Sequence, residues 1–160
     1  IRSNTQSPCR LVRAFLFRCG PRLPALPGAS CCRVTNKGEL PMSDLKLLGL
    51  CGSLRSASTN RMLMHEAVQR FGKGQFTEGN LRLPLYDGDV EDNEGIPEAV
   101  QALADQIASA DAVIIACPEY NKGLPGLLKN AFDWVSRTKG APWMDKPVAT
   151  MSATAGRAGG

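Results

Sequence analysis

Apolar positions fall into two kinds of run along this chain. Residues 45–50, LKLLGL, are almost continuously apolar, and residues 111–117, DAVIIAC, are more so. Short runs without polar alternation predict strands buried on both faces, as in a parallel sheet. Elsewhere the apolar residues recur at helical spacing. Leu63, Met64, Ala67, Val68 and Phe71 form one stripe and predict a helix over about residues 60–71, with Gly72 placed to end it. Ile96, Val100, Leu103 and Ile107 form a second stripe behind Pro97. Leu124, Leu128, Ala131 and Val135 form a third over residues 124–137, with Pro125 near its start. Residues 76–83 read as a weaker strand and residues 146–151 as a further one. The segment PLYDGDVEDNEG, residues 84–95, reads as turns.

The predicted order is β-α-β-α-β-α-β. That order calls for an α/β fold: a doubly wound parallel sheet with right-handed crossovers and helices on both faces. Ligands of such sheets bind outside the carboxyl ends of the strands. Three polar loops, at 52–60, 118–123 and 152–160, each follow a strand and are expected to converge on one crevice. The last strand runs into SATAGRAGG with no helix after it. One helix layer is therefore expected to lack cover, and the fold is expected to be truncated at the C-terminus.

Length, at 160 residues, fits one domain, and 43% hydrophobic with 21% charged residues is ordinary for a globular chain. The formal charge of +4 is unevenly spread. Residues 1–41 hold seven basic residues against Glu39 alone, which leaves residues 42–160 with 12 basic and 14 acidic residues, a net −2. The basic balance is thus no sign of a nucleic-acid partner. Residues 1–41 begin with Ile, carry no clear periodicity and precede the first methionine, Met42. They read as a non-globular basic extension, either upstream translation, a targeting segment or a basic tail, with residues 42–160 as the folded domain. No run of eighteen apolar residues occurs, so no spanning helix is expected. Of six cysteines only Cys51 and Cys117 fall after residue 41, which fits a reducing, cytoplasmic setting. No cysteine pair has metal-ligand spacing and there is one histidine, so no metal site is expected.

The first loop, GSLRSASTN, joins a strand to a helix N-terminus, where unpaired N–H groups and the helix dipole favour an anion. Ser53, Ser58, Thr59 and Asn60 add neutral donors, and Arg55 adds a planar charged one suited to phosphate oxygens. A helix cap alone would account for Ser58 or Asn60 but not for the whole set. Spacing excludes the nucleotide P-loop and the dinucleotide fingerprint. Cys51 and Arg55 are too close for a phosphatase loop, and His65 lies a turn into the helix, away from any triad. It reads as a boundary helix residue. In the second loop, Pro118, Glu119, Tyr120 and Asn121 read either as a plain turn or as an extended edge for a planar ring, with Tyr120 packing near it. Trp134 and Trp143 read as packing or interface residues, not site residues.

These stretches resemble a known family. GSLRSASTN at 52–60 is similar to the phosphate loop of the NADPH-dependent FMN reductases, and CPEYNKGLPGLLKNAFDWVSR at 117–137 to their PEYN loop and following helix. The resemblance spans about residues 45–160 and is nearest to bacterial quinone and chromate reductases. It implies a flavodoxin-like fold holding FMN noncovalently. Ser53, Arg55, Ser58 and Asn60, with Thr59 beside them, would hold the phosphate. Pro118, Glu119, Tyr120 and Asn121 would line the isoalloxazine, and Ser152, Ala153, Thr154 and Gly156 would close its other side. It implies hydride transfer from NADPH or NADH to FMN, then to quinones, flavins, azo compounds or metal oxyanions such as chromate. No catalytic side chain is then needed, since the flavin carries the chemistry. A homodimer or homotetramer is implied. Two other readings remain: a flavodoxin-type electron carrier, which a net −2 over residues 42–160 disfavours, and a fragment that binds without turnover.

Overall fold

The computed structural model describes residues 11–18, 45–72 and 74–154. The elements are β1 (Leu11–Arg18), β2 (Lys46–Cys51), α1 (Thr59–Phe71), β3 (Gln75–Glu78), α2 (Gly88–Glu94), α3 (Glu98–Ser109), β4 (Ala112–Ala116), α4 (Gly126–Arg137) and β5 (Pro147–Thr154). They form one sheet in the order β1-β5-β4-β2-β3. Strands β3, β2, β4 and β5 are mutually parallel, and β1 adds antiparallel to β5. The parallel part is the doubly wound sheet that the pattern predicts, in the flavodoxin-like form that the resemblance implies. From β2 the chain crosses through α1 to β3 on one side, then returns through α3 to β4 on the other. The sheet therefore reverses at β2, which places a switch-point crevice between the carboxyl ends of β2 and β4.

The two continuous apolar runs become the two central strands for the expected reason. In β2, Leu48 and Leu50 point into a core shared with Leu103, Ile107, Leu128 and Val135 of α3 and α4. Cys51 faces the opposite way, into a smaller cluster with Met64 of α1, Ala116 and Met151. In β4, Val113 and Ile115 join the first core, while Ile114 and Ala116 join the second. Both faces of each strand are buried, so neither shows polar alternation. Gly49 sits under α1, where a Cβ would lie 2.7 Å from Met64 Sδ and from the Phe76 ring. Gly49→Ala is therefore expected to cost about 1–3 kcal/mol of stability through overpacking, read as a shifted denaturant midpoint with an unchanged slope.

Four differences from the sequence reading have physical causes. The stretch at 11–18, for which no element is predicted, forms β1 along the whole edge of β5, from Leu11 opposite Thr154 to Arg18 opposite Pro147. Its own apolar run lacks alternation, so only pairing with β5 defines it. The rest of residues 1–41 lies outside the described residues. The weak strand shrinks to β3, a four-residue edge strand. Residues 84–95 are not all turn: α2 forms there, with Asp87 accepting a hydrogen bond from the Asp89 N–H at its start. Arg137 of α4 grips both oxygens of Glu91 at 2.9 Å, so tertiary contact supports a helix too short to stand alone. Finally β5 runs through Ser152, Ala153 and Thr154, which the sequence reading placed in a loop.

Candidate functional site

The crevice at the switch point is a cleft of about 360 Å3. Ser53, Arg55, Ala57, Ser58, Thr59 and Asn60 line one end, Pro118, Glu119 and Tyr120 the middle, and Ala153 and Thr154 the far side. The first two of the loops predicted to converge do meet there, and the end of β5 stands where the third was expected. The volume lies within the usual range for a cofactor pocket, about 300–1,000 Å3.

The first end is built by the start of α1. Ser58 is its N-cap, with extended backbone and an Oγ that accepts from the Arg61 N–H at 3.3 Å. The Met62 N–H closes the first turn on the Ser58 carbonyl. The N–H groups of Thr59 and Asn60 consequently have no carbonyl of the helix to bind, and they face the cleft end. No acid stands in this first turn. Arg55 is exposed beside it, and its guanidinium has no protein partner among the described residues, which leaves its donors to a ligand. Donors, dipole and charge all have the sign that suits a phosphate.

Asn60 does something the sequence does not show. Its Nδ2 donates to the Ala153 carbonyl at 3.0 Å, and its Oδ1 accepts from the Ala153 N–H at 2.9 Å. The side chain thus bolts α1 to β5 across the cleft floor. Asn60 is buried, so this pair of hydrogen bonds is formed away from water. One amide hydrogen remains for any other acceptor.

The middle of the cleft comes from the turn after β4. Pro118 is buried, but Glu119, Tyr120 and Asn121 are exposed, so the segment is not the buried extended edge weighed from sequence. Tyr120 and Gly123 exchange two backbone hydrogen bonds, at 3.2 and 3.1 Å. Asn121 and Lys122 between them have φ of 52° and 61°. Two consecutive left-handed residues make a type I′ turn, which Asn tolerates well. Lys122 carries the strain, as a long side chain held in a conformation that favours glycine. The turn aims Tyr120 back across the cleft, where its hydroxyl donates to Ser53 Oγ at 3.3 Å. The loop after β2 and the turn after β4 are linked by that bond.

Two of the predicted residues are not brought into the cleft, and a third falls outside the described residues. Asn121 sits at the tip of the turn, outside the lining. Ser152 faces the opposite side of β5 from Ala153 by strand alternation, and its buried Oγ has no hydrogen-bond partner among the described residues. Gly156 lies outside the described residues. Ala57 lines the cleft without having been singled out, and so small a side chain carries no signal in sequence. The larger omission is Arg61, which donates to the carbonyls of Arg55 and Ser53 at 3.0 and 3.3 Å. Its Nε–H donates to Glu78 at 2.7 Å, and that bond holds the guanidinium above its ordinary pKa. Glu78 is 17 residues away in sequence, so the contact has no local signature.

The remaining titratable groups near the cleft do not suggest nucleophilic chemistry. Burial pushes the Cys117 thiol up from its ordinary pKa, so it holds less thiolate than a free cysteine. Cys51 is buried behind the loop, with its Sγ 3.6 Å from the Ser53 carbonyl. His65 is half-exposed on α1, 3.2 Å from Glu78 and edge-on to Phe76, and lines no part of the cleft. Among the described residues no cluster of three or more His, Cys, Asp or Glu side chains could hold a metal. No helix among them is long and apolar enough to cross a membrane.

Comparison with known proteins places the chain in a family. Residues 45–160 match the NADPH-dependent FMN reductase family. An NAD(P)H-dependent FMN reductase of Pseudomonas aeruginosa is 44% identical over 118 residues, covering 72% of this chain and 63% of that protein. A quinone reductase of Escherichia coli K12 is 42% identical over 120 residues, with the same coverage of 72% and 63%. Among solved structures, a flavoenzyme NAD(P)H:(acceptor) oxidoreductase from Paracoccus denitrificans superposes with a TM-score of 0.57 at 37% identity, over 65% of this chain and 58% of that one. The chain thus spans less than two thirds of the length of these relatives. By both sequence and fold, the chain belongs to the NADPH-dependent FMN reductase family.

Proposed function

We propose that the cleft holds FMN and that the protein is an NAD(P)H-dependent oxidoreductase acting on quinone-like small molecules. The observation that carries this reading is one cleft with two chemically different parts. One end offers Arg55, Ser53, Ser58 and the first N–H groups of α1 to a phosphate. The middle and far side offer Pro118, the Tyr120 ring and the backbone of Ala153 and Thr154 to a flat ring. The donor set fits FMN: it is cationic where the cofactor is anionic, and free of metal ligands. Bound flavin would accept hydride from NAD(P)H and pass electrons on. The chain's own task is then to bind and orient. Ser53 and Tyr120 tie the two loops at a fixed separation, and Asn60 holds β5 against α1. The relatives named as quinone reductases support the choice of acceptor class. Assembly into a homodimer or homotetramer and a cytoplasmic setting are part of the same proposal.

The test is the visible absorption spectrum of the purified chain after incubation with FMN and desalting, followed by anaerobic addition of NADPH. Retained flavin that bleaches with NADPH and recovers with a quinone supports the reading. Retained flavin that NADPH leaves coloured marks an electron carrier instead. No retained flavin removes the reading for this chain.

Arg55→Ala should weaken FMN by about 1.5 kcal/mol, roughly tenfold in dissociation constant. The guanidinium is exposed, so the effect should shrink as salt rises. Arg137→Ala is the control, because Arg137 is engaged with Glu91 away from the cleft. Equal FMN dissociation constants for the two variants would exclude Arg55 as a phosphate ligand.

A further inference from the structure

We propose that Arg61 is a positioning residue for the phosphate loop, turning the loop's backbone N–H groups toward the anion without itself touching the cofactor. The proposal rests on the FMN reading above. Arg61 is the third residue of α1, where a cation opposes the helix dipole and no acid offsets it. Its side chain is only 28% exposed. Three of its donors are engaged: Nε to Glu78 at 2.7 Å, Nη1 to the Arg55 carbonyl at 3.0 Å and Nη2 to the Ser53 carbonyl at 3.3 Å. Glu78 is fixed in turn by His65 on its other oxygen at 3.2 Å.

Arg61 does not line the FMN cleft. It lines a separate one of about 390 Å3, together with Leu54, Ser56 and Asn80. The loop between Ser53 and Ala57 is therefore a wall with a cleft on either side. In a trans peptide the C=O and the following N–H point in opposite directions. The Ser53 and Arg55 carbonyls point at Arg61. The N–H groups of Leu54 and Ser56 must then point away from it, toward the other side of the wall. The Arg55 N–H between them bonds Ser53 Oγ at 3.4 Å, so it is the alternate N–H groups of Leu54 and Ser56 that are left to offer donors to an anion. A planar fork that reaches two carbonyls while anchored by a carboxylate sets this orientation, and a lysine has no such geometry.

The test compares dissociation constants of FMN and riboflavin, by flavin fluorescence quenching, for the wild-type chain and for Arg61→Lys and Arg61→Gln, each with a thermal melt. Riboflavin has the same ring and no phosphate. Arg61→Lys keeps the charge and loses the fork, so it separates positioning from long-range attraction. The expected result is FMN weakened about tenfold or more in both variants, with riboflavin within about twofold of wild type. Wild-type FMN affinity in Arg61→Lys would reduce Arg61 to a distant charge and overturn the proposal. Equal loss of both ligands, with a lowered melt, would make it a general fold residue and also overturn it. A wild-type chain that binds neither flavin fails the FMN reading itself, and the proposal falls with it.

Discussion

Trp134→Ala is expected to lower the unfolding free energy by about 3–5 kcal/mol, the largest stability loss of any single change considered for this chain. Trp134 is fully buried, on the face of α4 that meets the segment leading into α2. Its indole N–H donates to the Pro84 carbonyl at 2.8 Å, and its ring stands edge-on to Tyr86 with centroids 5.0 Å apart. The substitution removes the ring, the aromatic pair and one hydrogen bond together. Asn130, one turn earlier on α4, bonds the same stretch twice: Nδ2 to the Pro84 carbonyl and Oδ1 from the Tyr86 N–H, both at 2.8 Å. The segment should therefore loosen rather than detach. Trp134→Phe keeps most of the volume and should recover more than half of the loss. Urea unfolding followed by far-UV circular dichroism measures both. A loss for Trp134→Ala no larger than about 1 kcal/mol would mean that the site collapses around the missing ring. FMN affinity measured well below the unfolding transition should stay near wild type, since Trp134 lines no part of the cleft.

What was legible in the sequence follows from where each signal resides. Leu48, Leu50, Val113 and Ile115 write their burial directly into continuous apolar runs, so the central strands and the sheet class could be read without a structure. Val100, Leu103 and Ile107 do the same for α3. The proposed phosphate loop was legible because its donors are adjacent in the chain and stand at a helix start. The short helix α2 was not, because Glu91 and Arg137, far apart in sequence, support it. A turn near Asn121 was one of two readings, but its left-handed geometry was not legible, because lysine does not advertise such a backbone. Arg61 and Asn60 both lie within the loop motif or directly after it, yet their partners Glu78 and Ala153 come from other strands. Residue type could announce a polar site there. Only the fold could say which of those polar groups face a ligand and which hold the walls.

Asn60→Asp isolates that division of labour, and its effects should be large on both stability and binding. In the wild type one amide serves the N–H and the carbonyl of Ala153 together, with a donor and an acceptor of the right sign for each. An introduced carboxylate keeps the acceptor but replaces the Nδ2 donor with a second oxygen facing the Ala153 carbonyl. A buried donor is lost and a charge is buried against a like partial charge, so the cost should be about 2–4 kcal/mol. The same charge would sit at the end of the cleft that favours an anion, so FMN should weaken more than tenfold, by at least about 1.4 kcal/mol. The pH dependence has a definite sign. Burial and the facing carbonyl raise the folded-state pKa of the introduced acid above its unfolded value, because the protonated form can again donate to Ala153. A raised folded pKa means that the folded state binds more protons, so stability is highest below the unfolded value of about 4 and falls as pH rises. Urea midpoints of Asn60→Asp relative to wild type should therefore drop between about pH 4 and about pH 8. Asn60→Ala, which removes donor and acceptor alike, should lose stability by a similar amount with no such pH trend. A flat difference across this range for Asn60→Asp would mean that its carboxylate swings out to solvent, and that β5 is held at the cleft without the bolt from α1.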